Sequence, residues 1–198
     1  FWKRIVELVT GFKNSQTRDE LIKLISSFVL TGICGFTAKK LGAKLPETAM
    51  PVAIATIIGA AVIFWAEARV RGRTLTDNIG WSVVVAVAAG QVLAGVFPGT
   101  SRSGAAIIAG LLLGVSRPSA VRFAFLVGIP TMFAAGALEL KEAIDMGQTA
   151  ELLAPQTMVA FVVATATAWL AVVWLLKFVQ HRTFTPFAWY RVALGIIM

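Results

Sequence analysis

The chain has 198 residues, 58% of them hydrophobic and only 14% charged, with a net charge of +8 and a mean hydropathy of +0.80. Soluble globular domains are about 45–50% apolar and about 25% charged, so this composition excludes a water-soluble domain. The excess positive charge stands in short clusters between apolar runs, as the flanks of membrane spans do, which argues against nucleic acid as the partner.

In chain order, the sequence predicts an all-α integral membrane protein, a single transmembrane domain over 1–198 with helices near 21–41, 48–67, 79–97, 103–114, 117–139, 152–177 and 186–198. Residues 1–20 hold Lys3, Arg4, Lys13 and Arg18 around Gly11 and Asn14, and read as the tail of an earlier helix plus a basic loop. The apolar run 24–38 is short for a span, but Lys23 and Lys39 can extend it by snorkelling. It carries the only cysteine, Cys34, which allows no intrachain disulfide and is expected to be buried and inert. Gly42 and Pro46 mark a turn. Residues 48–66 are 19 positions without a charge, long enough to cross, and Gly59 with its neighbouring alanines lets another helix approach closely. Glu67, Arg69, Arg71 and Arg73 read as a compact basic loop. Ser116-Arg117-Pro118 opens a helix with proline in its first turn. Glu139, Lys141, Glu142, Asp145 and Glu151 read as an acidic solvated loop rather than a metal site. Residues 152–176 are 25 uncharged positions, the clearest span. Lys177, His181 and Arg182 follow as an interfacial flank, and Pro186 opens the last helix. Trp2, Trp65, Trp81 and Trp189, near segment ends, read as interface anchors.

The basic segments 1–20, 69–73, 117–122 and 177–182 can share one face, taken as cytoplasmic, with Arg117 and Arg122 as headgroup or inside-positive charges. The acidic loop then falls outside. Lys39, Lys40 and Lys44 fall outside too, against the positive-inside rule.

The stretch that organises the chain is Phe97-Pro98-Gly99-Thr100-Ser101-Arg102-Ser103-Gly104. Before Arg102 lie 24 residues without a charge (78–101), and after it 14 more (103–116). A lone guanidinium in so apolar a sequence is costly unless it faces water or an anion. Pro98 and Gly99 should end one helix, and Ser101 or Ser103 can cap the next. The second arm is too short to span, so a re-entrant broken helix around 98–104 is expected, tolerated only inside protein or along a wet cavity. Helix-terminal amides suit anions, and the arginine fork suits phosphate. Arg102 and Ser101 are the candidate catalytic pair. Gly99, Thr100, Ser101, Arg102, Ser103 and Gly104 are the candidate phosphate cradle, and Gln91 is a candidate cavity-lining residue. Neither serine is named a nucleophile, because no base is placed to activate it. The plainer readings stay open: Arg102 paired with a carboxylate, the serines as helix caps, Gln91 bonding a neighbouring helix.

At Pro98-Gly99-Thr100-Ser101-Arg102-Ser103-Gly104 the chain resembles the undecaprenyl-diphosphate phosphatase family, the bacterial bacitracin-resistance type. The likeness extends to Gln91-Val92-Leu93-Ala94 before it and to Gly114-Val115-Ser116-Arg117-Pro118 after it. It continues through Phe123-Ala124-Phe125-Leu126-Val127-Gly128-Ile129-Pro130, Gly136-Ala137-Leu138 and the closing Phe184-Thr185-Pro186-Phe187-Ala188-Trp189-Tyr190-Arg191, and is diffuse over 1–79. The resemblance implies hydrolysis of a C55 polyprenyl diphosphate, which regenerates the lipid carrier of cell-wall synthesis. It also implies inverted repeats with re-entrant helix pairs, a site opening to the outer face of the bacterial plasma membrane, and a divalent cation, Mg²⁺ or Ca²⁺. The family's first motif, clustered glutamates and a serine-glycine-histidine stretch, is not in this sequence. The chain therefore reads as the later part of such a protein, with metal ligands and base expected elsewhere and no metal ligand among these residues. Position 106, usually threonine in the family, is alanine here.

A transporter or flippase of a phosphorylated polyprenyl lipid is the rival, because broken helices at an anion site serve transport as well. An inactive fragment is a third reading. A lipid phosphatase of the acid-phosphatase type needs a histidine soon after the arginine, and 103–116 hold none. A homodimer is compatible with every reading.

Overall fold

The computed structural model describes Glu7, Gly11, residues 14–40 and residues 48–198. The expectations placed on Trp2, Lys3, Arg4, Lys13, Gly42, Lys44 and Pro46 lie outside the described residues. The helices bounded among the described residues are, in order, α1 Ser15–Lys40, α2 Ala49–Val70, α3 Trp81–Val96, α4 Arg102–Leu112, α5 Arg117–Asp145, α6 Thr149–Leu152, α7 Pro155–Phe178 and α8 Thr185–Ile197. Among the described residues there is no strand, only an isolated bridge between Thr76 and Val115. Helices α1, α2, α5 and α7 are each long and apolar enough to cross a membrane. The protein is an all-α, multi-pass membrane protein.

Short α3 and α4 form an antiparallel hairpin. Gly90 of α3 packs on the backbone of Ala105 and Ala106 in α4, and Val83 lies beside Gly110. The outer ends of both helices are tied together. The Thr76 amide donates to Gly114 O at 2.9 Å, and the Ser116 amide donates to Thr76 O at 2.8 Å. Entry and exit therefore lie at one end, and the tip, residues 97–101, points away from it. Along α3 the buried positions Val83, Val84, Val87, Ala88 and Gln91 recur at helical spacing, facing α4 and α1. Val83, Val84 and Val87 form the core under the hairpin with Ile107, Leu111, Val121 and Val127. Helix α7 contrasts with this: none of its residues is buried within the chain. An apolar helix left that bare requires a non-aqueous surround.

Several local expectations change. Helix α5 runs through Glu139 to Asp145 rather than ending in an acidic loop, because Ala137, Leu138, Glu139, Leu140, Lys141, Glu142 and Ala143 are strong helix formers. Cys34 is exposed, not buried, on the same outer surface of α1 as the exposed Ile33 and Phe36. Arg117 is not a free headgroup charge. Its Nε donates to Glu67 Oε1 at 3.1 Å and its Nη2 to Oε2. Glu67 belongs to α2 rather than to a basic loop, is 7% exposed, and also accepts the Phe184 amide at 2.8 Å. This carboxylate joins α2, α5 and the α7–α8 turn at the hairpin's stem, where Arg117 and Arg182 line one cavity.

At that stem, Asp77 Oδ1 accepts from the Ser116 hydroxyl and, at 2.7 Å, from the Ser119 hydroxyl. These bonds hold its carboxyl below the ordinary carboxylate range, with Arg122 adding a smaller effect. A group depressed on folding stabilises above its unfolded pKa of about 3.9, and that contribution is lost as pH falls through the lower folded value. Asp77→Asn is therefore expected to lower the melting temperature at pH 7, and the gap from wild type should narrow as the pH falls below about 4. Thermal melts of both proteins in detergent across pH 3–7 check this.

Candidate functional site

The tip of the hairpin is shaped by its backbone. Gly99 has φ +92°, and a Cβ there would stand 2.4 Å from the Val52 carbonyl oxygen of α2, so only glycine lets the loop press so closely. Ser101 has φ 61° and ψ 104°, the one described non-glycine residue with positive φ. Strain of this kind persists only where the surroundings enforce it. It places Ser101 at the N-cap of α4, where its Oγ accepts the Gly104 amide at 3.2 Å. That bond uses a lone pair, so the hydroxyl proton stays free to donate outward. The Ala105 amide bonds Ser101 O at 2.9 Å, and the Thr100 amide bonds Phe97 O at 3.2 Å. The amides of Arg102 and Ser103, at the start of α4, keep no protein acceptor among the described residues. Free amides at a helix start are anion donors.

The side chains follow. Ser101 and Ser103 are exposed, while Gly99, Thr100, Arg102 and Gly104 are half-buried. Arg102 has no carboxylate partner among the described residues. Its Nη1 lies 3.8 Å from the Met132 sulfur of α5, a weak acceptor. The tip thus carries, within three consecutive residues, a guanidinium, two exposed serines and two amides without a protein acceptor, groups of the kind that bind phosphate oxygens.

Gln91 is 3% exposed, and neither its Nε2 nor its Oε1 has a hydrogen-bond partner. It lines no helix contact by a bond of its own, contrary to the plainer sequence reading. Ala106 is 1% exposed, packed into the core one turn inside α4, so position 106 contributes nothing to the open side of the loop.

Two residues of consequence were not picked out from the sequence. One is Arg191 of α8, whose Nη2 donates to Gly99 O at 2.8 Å. The other is Thr56 of α2, whose hydroxyl donates to Val52 O at 2.7 Å and sits 3.4 Å from Gly99 O. Arg191 did carry a signal: it is the one charge in residues 183–198, and a lone cation in an apolar segment is a site hypothesis by default.

Among the described residues, no three histidine, cysteine, aspartate or glutamate side chains come together to hold a metal ion. The described residues do not fit a divalent cation.

Residues 1–197 match the family described as bacitracin resistance protein BacA. A protein of Rhizobium johnstonii named undecaprenyl-diphosphatase is 46% identical over 199 residues, covering 100% of this chain and 75% of the relative. A Xylella fastidiosa protein of the same name is 42% identical, covering 100% of this chain and 76% of the relative. A third so named, from Xanthomonas oryzae, is 42% identical over 98% of this chain and 73% of its own length.

Proposed function

The chain belongs to the bacitracin resistance protein BacA family, and from that premise we propose that the loop 98–104 binds the diphosphate of undecaprenyl diphosphate while the terminal phosphate is hydrolysed off. The protein is an undecaprenyl-diphosphatase, releasing undecaprenyl phosphate and inorganic phosphate. The observation that carries the role of the loop is Arg102, a guanidinium without a carboxylate partner among the described residues, standing beside free amides at the start of α4.

In this reaction water forms a bond to the terminal phosphorus, and the bridging oxygen leaves with the lipid phosphate. Negative charge builds on the bridging oxygen, and donors aimed at the phosphoryl oxygens lower the barrier. Arg102 spans two oxygens with its planar fork. The Ser103 and Arg102 amides and the Ser101 proton fill in around it. The described residues place no base beside either serine, so both are donors and neither is a nucleophile. The divalent cation implied by the family likeness belongs to this proposal only as additional charge neutralisation, held by groups other than those described. The loop faces away from the basic loops, so by the positive-inside rule it faces the outer side of a bacterial plasma membrane. Lipid carrier recycling and the bacitracin resistance in the family's name follow from that placement.

Phosphate release from undecaprenyl diphosphate in detergent tests the reading. Hydrolysis needs no sealed membrane, whereas a flippase would leave the diphosphate intact there.

Gln91 gives an independent prediction. Each buried, unpaired polar group costs about 1–3 kcal/mol. Gln91→Met should therefore stabilise the fold by about 1 kcal/mol or more, raising the melting temperature by about 2–4 °C. If the amide serves water or headgroup in the site, the same change lowers kcat about tenfold, as one lost hydrogen bond would. Melts and phosphate release on one preparation check both.

A further inference from the structure

Arg191 stands midway along α8 with no carboxylate partner among the described residues. Its Nη2 donates to Gly99 O at 2.8 Å and to Ala55 O at 3.4 Å, and its Nε donates to Thr56 O at 3.2 Å. Ala55 and Thr56 lie inside α2, where their carbonyls already serve helical bonds. Gly99 O lies in the tip and receives no backbone amide. A half-buried cation without a counter-ion is an expensive way to add bonds to a helix that needs none. It is a suitable way to hold one carbonyl of an otherwise weakly held turn.

The surroundings are cut to this guanidinium. A Cβ on Gly59 would lie 2.2 Å from Arg191 Nη2, so the bare face of α2 at Gly59 is the seat on which the fork rests. On its other side, Gly99 is pressed against Val52. The tip is thereby fixed between α2 and α8, two residues before Ser101 takes its strained conformation.

We propose that Arg191 is a positioning residue: by holding the Gly99 carbonyl against α2 it fixes the tip in the conformation from which Ser101 and Arg102 meet the diphosphate. The proposal rests on the phosphate-cradle reading above. Arg191 touches no phosphate in this account and acts only through the backbone of Gly99. Lysine does not replace it, because a single ammonium cannot span carbonyls on two elements as a planar fork does.

The test uses the intact protein in detergent, with Arg191→Met, Arg191→Lys and Gly59→Ala. A displacement of about 1 Å at a reacting centre can cost about 10²-fold in rate, so Arg191→Met is expected to lower kcat about 10–100-fold. KM for undecaprenyl diphosphate should stay within about threefold, the signature of lost alignment rather than lost binding. Arg191→Lys should recover less than about a tenth of the missing rate. Amide hydrogen exchange over residues 97–104 should rise about tenfold or more in Arg191→Met, with residues 155–178 unchanged. Gly59→Ala keeps the charge but unseats the fork, and should reproduce the local rise in exchange. It also carries the test if Arg191→Met does not fold.

Unchanged exchange over 97–104 in both variants would overturn the proposal, as would full rescue by lysine or a loss confined to KM. Should the wild type release no phosphate, the hydrolytic reading fails by itself. The exchange comparison would then still decide whether Arg191 holds the tip.

Discussion

Arg102→Ala is expected to lower phosphate release about 10³-fold, the scale on which single guanidinium and oxyanion donors act in phosphoryl and acyl transfer. The melting temperature should not move. The reason for that pairing is the side chain's situation in the free protein. Among the described residues Arg102 makes one weak hydrogen bond, to the Met132 sulfur at 3.8 Å, so its removal strands no buried polar partner there. Ser101 would still cap α4 through the Gly104 amide. Arg102→Lys retains the charge but not the fork, and should recover only part of the rate. A fall in melting temperature matching the lost activity would instead make Arg102 a structural residue.

The second large effect lies at the opposite end of the molecule and concerns stability. Arg117→Met should destabilise the fold by about 3–5 kcal/mol, the cost of leaving a buried charge unpaired. Glu67 is 7% exposed at its side chain while Arg117 is 22% exposed, so the carboxylate is the member that water cannot reach. Glu67→Gln should cost less. Its amide oxygen can still accept the Phe184 amide, and Arg117 can turn toward solvent. Turnover per folded molecule should stay normal in both, because the pair ties α2, α5 and the α7–α8 turn at the stem, remote from the tip. Detergent melts and activity normalised to folded protein separate the two predictions: Arg102 moves the rate alone, Arg117 the stability alone.

The hairpin was legible because its signals are local. An uncharged run ending in Pro98-Gly99, followed by Ser101, leaves little choice about where one helix stops and the next is capped. The lone charge of Arg102 located the candidate site by the cost of placing it there. The contacts behind the site were not legible. Arg191 and Gly99 are 92 residues apart, and nothing in a linear pattern says that α8 lies across α2 at Gly59. Glu67 and Arg117 failed for the same reason: each sits in a charged cluster that reads as a solvated flank until the fold buries one and pairs it with the other. Cys34 shows the converse. An apolar run was expected to bury its thiol, but in a membrane protein the apolar surface faces outward, and the thiol lies there with it.

The most direct measurement is a structure of the intact protein with a non-hydrolysable undecaprenyl diphosphate analogue. Phosphate oxygens should lie within about 3 Å of the Arg102 guanidinium and the Ser103 amide, the ordinary reach of a charge-assisted hydrogen bond. A headgroup seated anywhere else, with Arg102 still resting on Met132, would contradict the account.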